Sequence, residues 1–196
     1  MRSDELLAVL ASLLNIVGFV VYNKQIFTGK NTPNITSWGI WAFVTVLNFL
    51  SYKTMSDDWV KSIFPTISSL MCILTFLVAL ATGKFVRVNR YDAIPLALGI
   101  MASLVWWWFE SATYANLLLQ LAIAIGFVPT FRSVWVSPKN EKPLAWFIWG
   151  IGFGFGGIVV LMRWNDQYQD VVYYADCFVL HLAVGVTALR KTKEAG

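Results

Sequence analysis

The sequence predicts an all-α integral membrane protein: seven transmembrane helices arranged as two parallel three-helix bundles joined by a linker helix. Three observations carry this expectation. The chain is 58% hydrophobic and 13% charged over 196 residues, with a mean hydropathy of +0.63, whereas a water-exposed surface needs about 25% charge. Its apolar residues fall into seven stretches, each near the length that crosses a bilayer. The chain also matches itself when Gly18 is laid on Gly126, an offset of 108 residues.

Span 1, residues 6–22, runs into Tyr22-Asn23-Lys24-Gln25 with no small-residue cleavage site, so it reads as a retained helix and not a signal peptide. Gly29-Lys30-Asn31-Thr32-Pro33 is a turn. Span 2, 35–52, carries Ser37, Trp41, Thr45, Asn48 and Tyr52 at spacings that stack on one helical face. Ser56-Asp57-Asp58 precedes span 3, 62–82, which places Ser62, Thr66 and Ser69 on one face beside Pro65. A loop from Gly83 to Asp92 leads to span 4, 93–109, which lies outside the repeat and serves as the linker. After Glu110-Ser111 comes span 5, 115–135, with Gln120 and Pro129. Ser137-Pro138-Lys139-Asn140-Glu141 separates it from the glycine-rich span 6, 143–162, and the stretch from Asn165 to Asp170 precedes span 7, 171–189. Continuous apolarity without alternation favours helices over a barrel. The expected units are 1–90 and 112–196, with 91–111 as the linker helix.

Eleven of the fifteen basic residues fall in the loops after spans 1, 3 and 5 or in the C-terminal tail. Arg2, Lys53, Lys61 and Arg163 lie on the other side. The positive-inside rule then puts the N-terminus outside and the C-terminus in the cytoplasm of a multi-pass protein of the plasma (inner) membrane.

The 108-residue offset lays Gly18-Phe19-Val20 on Gly126-Phe127-Val128, Trp38 on Trp146, Ile40 on Ile148 and Trp41 on Trp149. The repeat relates spans 1–3 to spans 5–7. One span between two three-span units makes the units parallel, an arrangement that in transporters sets a solute site at the repeat interface near the midplane.

Gly126-Phe127-Val128-Pro129-Thr130-Phe131-Arg132, followed by Glu141, Pro143, Trp146 and Trp149, resembles the SWEET and PQ-loop transporter superfamily: a proline-containing helix, a short basic loop and an aromatic helix. The family's Pro-Gln pair is Pro129-Thr130 in the second repeat and Val21-Tyr22 in the first. The resemblance implies a 3+1+3 membrane transporter with pocket residues on spans 2, 3, 6 and 7. The family's asparagine on spans 3 and 7 is missing, and Asp176 stands as its counterpart on span 7.

The candidate solute site therefore comprises Trp41 and Trp149 as walls, with Ser37, Asn48, Asp176 and His181 orienting the solute. Asp176 is the one acidic residue well inside a span and His181 the one histidine. Intramembrane ionisable groups usually face a cavity, a partner or a proton path, which brings in proton coupling. Trp38 and Trp146 fit an interfacial aromatic belt as well as a pocket. Pro129, Gly152 and Gly156 are candidate hinges, since proline frees a carbonyl and glycines let helices approach closely.

Catalysis is not expected: the lone histidine has no serine and carboxylate at a triad spacing. No metal site is expected from one histidine and Cys72 and Cys177. No cofactor is expected, because the glycines of span 6 follow no strand and Lys191 lies at the end of the last span. Dispersed basic residues argue against nucleic acid. The expected partners are membrane lipid and a small solute, with a homo-oligomer compatible with so small a core. The expected function is alternating-access transport of a small polar solute such as a sugar or amino acid. The alternatives are a vitamin or nucleoside carrier of the nicotinamide riboside type, and a ligand-binding receptor or sensor on the same scaffold.

Overall fold

The computed structural model describes residues 1–55, 58–85 and 112–190, with isolated positions between 93 and 108. Most of the expected span at 93–109 and of the linker at 91–111 lies outside the described residues, as do Asp57, Arg87, Arg90, Glu110, Lys191, Lys193 and the side chain of Tyr52.

Six long helices are described: α1 (Ser3–Phe27), α2 (Ile35–Met55), α3 (Trp59–Thr82), α4 (Ala112–Val136), α5 (Pro143–Met162) and α6 (Tyr168–Ala188), with a 3-10 turn at Pro138–Asn140 before α5. Local chemistry sets their ends. The backbone amide of Arg2 donates to Glu5 at 3.0 Å at the start of α1, and Asp58 caps α3 by accepting from the Val60 amide at 3.0 Å. Gly83 closes α3 in the left-handed conformation, at φ 62°. Pro143 sits in the first turn of α5, where its missing N–H costs nothing.

Five of these helices are long and apolar enough to cross a membrane, and α2 has a shorter apolar stretch, Ile35–Ser51. Outside the apolar core, burial differs from that of a soluble bundle. Leu6, Leu10, Leu13, Val17 and Val20 are exposed along α1, while Ser12, Asn15 and Asn23 of the same helix are buried. In water that distribution would forfeit hydrophobic burial and bury amides needlessly; in lipid it places apolar groups in apolar solvent and pairs the polar ones internally. The protein is a helical, multi-pass membrane protein.

Packing follows a closed ring in the order α1, α3, α2, α4, α6, α5 and back to α1. Exchanging residues 108 positions apart swaps α1 with α4, α2 with α5 and α3 with α6, and it carries each contact of the ring onto another. The bundle has two ends. At one, Tyr22 meets Glu141, the Thr32 amide donates to Asn140 O at 2.7 Å and the Lys142 amide donates to Asn31 Oδ1 at 2.7 Å. This is called the Glu141 end. At the other, the Lys61 end, Lys61 meets Asp170 and Arg163 meets Asp4 and Asp58.

Candidate functional site

Between the two ends lies a cavity of about 40 Å³, lined by residues of all six helices. It is walled by Trp38, Trp41, Trp146, Trp149, Phe19, Phe127, Phe153 and His181, with Asn15, Thr45 and Ser68 as its main polar lining. Among the described residues, no Asp, Glu, Lys or Arg lines it.

The two central tryptophans are seated identically. Trp41 Nε1 donates to Ile123 O at 3.3 Å, and Trp149 Nε1 donates to Asn15 O at 3.3 Å. Trp41 packs on Phe127 with ring centroids 4.6 Å apart, and Trp149 on Phe19 at 4.9 Å. Each ring lies over a glycine of the other unit: a Cβ at Gly126 would sit 2.8 Å from Trp41 Nε1, and one at Gly18 would sit 2.5 Å from Trp149 Nε1. Every partner in one set is 108 residues from its counterpart. The sequence identity at these positions therefore records one packing arrangement, an indole crossing onto a glycine of the facing unit, built twice.

The polar lining is not repeated. Asn15, Thr45 and Ser68 come from α1, α2 and α3, while their counterparts Ile123 and Phe153 are apolar and Asp176 is not among the lining residues. Asn15 Nδ2 donates to Ser68 Oγ at 2.5 Å, and Asn15 Oδ1 is buried without a hydrogen-bond partner. His181 sits within a ring cluster, its centroid 4.8 Å from Phe153, 5.0 Å from Phe127 and 5.7 Å from Trp149. Its Nδ1 lies 2.6 Å from Cys177 O. A carbonyl only accepts, so Nδ1 carries a proton in this contact. The cavity thus presents aromatic surface and one buried acceptor without a hydrogen-bond partner, Asn15 Oδ1, a lining suited to an uncharged solute with O–H or N–H groups.

Of the residues singled out from the sequence, Trp41, Trp149 and His181 line the cavity together, and Trp38 and Trp146 join them. Ser37 is fully buried and accepts from Thr130 Oγ1 at 2.8 Å, tying α2 to α4. Asn48 lies farther toward the Lys61 end, its Oδ1 accepting from Asn116 Nδ2 at 3.0 Å and Gln120 Nε2 at 2.8 Å. Asp176 is half-buried on α6 away from the lining. Pro129 is buried inside a continuous α4. Gly152 allows α5 to cross α1, with Ala11 O 3.4 Å from where its Cβ would be, and Gly156 leaves room for the Tyr174 ring, 2.1 Å from its own missing Cβ.

Both ends are closed by contacts between the two halves of the ring. At the Glu141 end, Tyr22 Oη donates to Glu141 Oε1 at 2.7 Å, Trp146 Nε1 donates to Oε2 at 3.2 Å, and Trp38 Nε1 donates to Tyr22 Oη at 3.1 Å. Burial pushes the Glu141 carboxyl up to about 8, more than these two donors pull it down. At the Lys61 end, Lys61 Nζ lies 3.1 Å from Asp170 and 2.6 Å from Asn165 Oδ1, and Arg163 bonds Asp58 at 2.6 Å and also Asp4. Among the described residues, no group of three His, Cys, Asp or Glu side chains is placed to hold a metal.

Nothing in the sequence marks Glu141, Lys61 and Asp170 as site residues. Glu141 was visible only as part of the motif around Pro143; nothing in a loop reading Pro-Lys-Asn-Glu-Lys says that its carboxyl is buried. In comparisons with known proteins, no family model, no curated protein and no solved structure matches this chain.

Proposed function

We propose that the protein is a transporter that moves a small uncharged polar solute across the membrane by alternating access, through the aromatic cavity between two parallel three-helix units. The observation that carries this reading is the paired seating of Trp41 and Trp149 around an interior cavity that is closed at both ends by bonds between the units. A cavity of about 40 Å³ holds water rather than a solute, and solute sites are usually several hundred Å³. Loading therefore requires one end to separate, and twofold-related units hinged about a shared aromatic centre are suited to opening either end in turn. The absence of charge in the lining favours an uncharged solute over an amino acid, whose two charges would be desolvated without partners.

The seven-span plan expected from the sequence supports the same reading. The α3 helix ends near Phe27, where Lys84 Nζ donates to Phe27 O at 2.8 Å, at the Glu141 end, whereas α4 begins beside Ser51, which accepts from Asn116 Nδ2 at 2.7 Å, toward the Lys61 end. A crossing between them accords with a linker at 93–109 and with the SWEET-like 3+1+3 arrangement. In the orientation favoured by the basic residues, the Glu141 end faces the cytoplasm.

The density of indole and phenyl rings favours, as a second reading, a flat heteroaromatic solute such as a nucleoside or vitamin, because stacking rewards a planar ring. Counterflow in proteoliposomes tests both. Labelled sugars, nucleosides and vitamins are compared with amino acids, in the parent and in Trp41→Ala and Trp149→Ala. Flux of an uncharged solute that is lost in both variants is expected. Ligand binding with no flux of any solute would identify a receptor and overturn transport.

A further inference from the structure

We infer that Glu141 is a proton-binding site that governs closure of its end of the bundle, so that acid closes this end and alkali opens it. The inference rests on the transport reading only for its consequence, namely that a proton would be coupled to solute movement.

The geometry is that of a carboxyl group surrounded by neutral donors. Glu141 is 2% exposed, and both of its oxygens are engaged, Oε1 across the seam between the units by Tyr22 of α1 and Oε2 within its own unit by Trp146 of α5. Lys139 and Lys142 flank it in its own loop, Lys24 lies near the end of α1, Arg132 near the end of α4, and His181 and Arg190 on α6. None of them forms an ion pair with Glu141 among the described residues. Arg190 Nη2 donates to the Trp135 carbonyl at 2.6 Å, and His181 packs against the Trp146 ring with centroids 5.6 Å apart, its own Nδ1 donating to Cys177 O.

Separation of the two units removes Tyr22 from Glu141 and lets water reach the carboxyl. Closed and open forms then bind the proton with different strength. The closed carboxyl has been pushed up to about 8 by burial, whereas a hydrated one returns toward 4.5. The closed form therefore holds more protons between these values, and lowering the pH in that window favours closure by close to tenfold per unit, with no dependence above or below it. Trp146 connects this site to the solute cavity, because the same ring lines the cavity and donates to Glu141. The proton released on opening leaves as Glu141 changes from carboxylic acid to carboxylate, and no other reactant is needed.

The test is a distance measurement across this end without any solute. Lys30 and Lys139 are exposed, and Cys72 and Cys177 are buried, so spin labels at Lys30→Cys and Lys139→Cys report the separation in lipid nanodiscs from pH 4.5 to 9. The short-distance population should fall as pH rises toward 8 and then level off. Glu141→Gln should abolish the dependence, and Asp176→Asn should keep it. Tyr22→Phe, which removes the bond across the seam and covers the case in which Glu141→Gln does not fold, should lower the short-distance population at pH 9 more than at pH 4.5. A pH-independent parent, a Glu141→Gln protein that titrates like the parent, or a Tyr22→Phe protein as closed at pH 9 as the parent would each overturn the inference. A pH-dependent separation in a protein that carries no solute would leave this gate standing and remove the transport reading instead.

Discussion

The two ends of the bundle are closed by opposite chemistry. At the Lys61 end, charges meet charges: Lys61 and Asp170 are each about 1% exposed at the side chain and 3.1 Å apart, and Arg163 bridges Asp4 and Asp58. At the Glu141 end a lone carboxyl is held by the Tyr22 phenol and the Trp146 indole, and the phenol in turn accepts from the Trp38 indole. A buried ion pair is costly to break, because removing one partner strands the other in low dielectric. A carboxyl with neutral donors has no such fixed counter-charge, so its ionisation changes with hydration. The difference suggests a division of labour, with a mechanical latch at one end and a titratable one at the other.

The comparison is broken most forcefully at the ion pair. Lys61→Met should lower stability by about 3–5 kcal/mol, because Asp170 stays buried without its cation. Adding Asp170→Leu should recover most of that loss, as read by thermal unfolding in nanodiscs. A single variant as stable as the parent would mean that the Lys61 end is not a latch.

Next come the glycines under the tryptophans. Gly18→Ala and Gly126→Ala each drive a methyl into an indole and should each cost about 1–3 kcal/mol by overpacking. Near-equal losses would extend the 108-residue relation from geometry to energetics, whereas a large inequality would show that the two tryptophan seats differ in substance. Smaller still is the effect at the partly buried Arg163, which bonds Asp4 and Asp58 at the Lys61 end. Arg163→Gln should cost about 1 kcal/mol or less and lose its effect at high salt. Glu141→Gln should change stability little in acid but flatten the fall in stability that the parent shows as pH rises from about 4.5 to about 8.

Much of this was legible in the chain. Exposed leucines and buried amides follow from a composition that only lipid can solvate, and the coincidence of Gly-Phe-Val and Trp-x-Ile-Trp at one offset pointed to Trp41 and Trp149 because tight indole-on-glycine contacts constrain both residue types. Contact partners were less accessible. Asn15 and Tyr22 lie seven residues apart on α1 and share a face by periodicity, yet one lines the cavity and the other bonds Glu141, because the helix face is long enough to serve two layers. Asp176 stood out as an acid inside an apolar run, but one charged position does not tell which neighbour the helix presents it to. Glu141 and Lys61 were the reverse case: residue types that usually stay in water, made interior by helices that converge from distant parts of the chain.

The central claim is that an uncharged solute binds between Trp41 and Trp149. Its most direct test is the solute-dependent thermal stabilisation of the purified protein, measured with sugars, nucleosides and vitamins beside charged amino acids and carboxylates, in the parent, Trp41→Ala and Trp149→Ala. The account predicts stabilisation by one or more uncharged solutes that is lost in both variants. Stabilisation confined to charged solutes, or persisting undiminished in both variants, would contradict it.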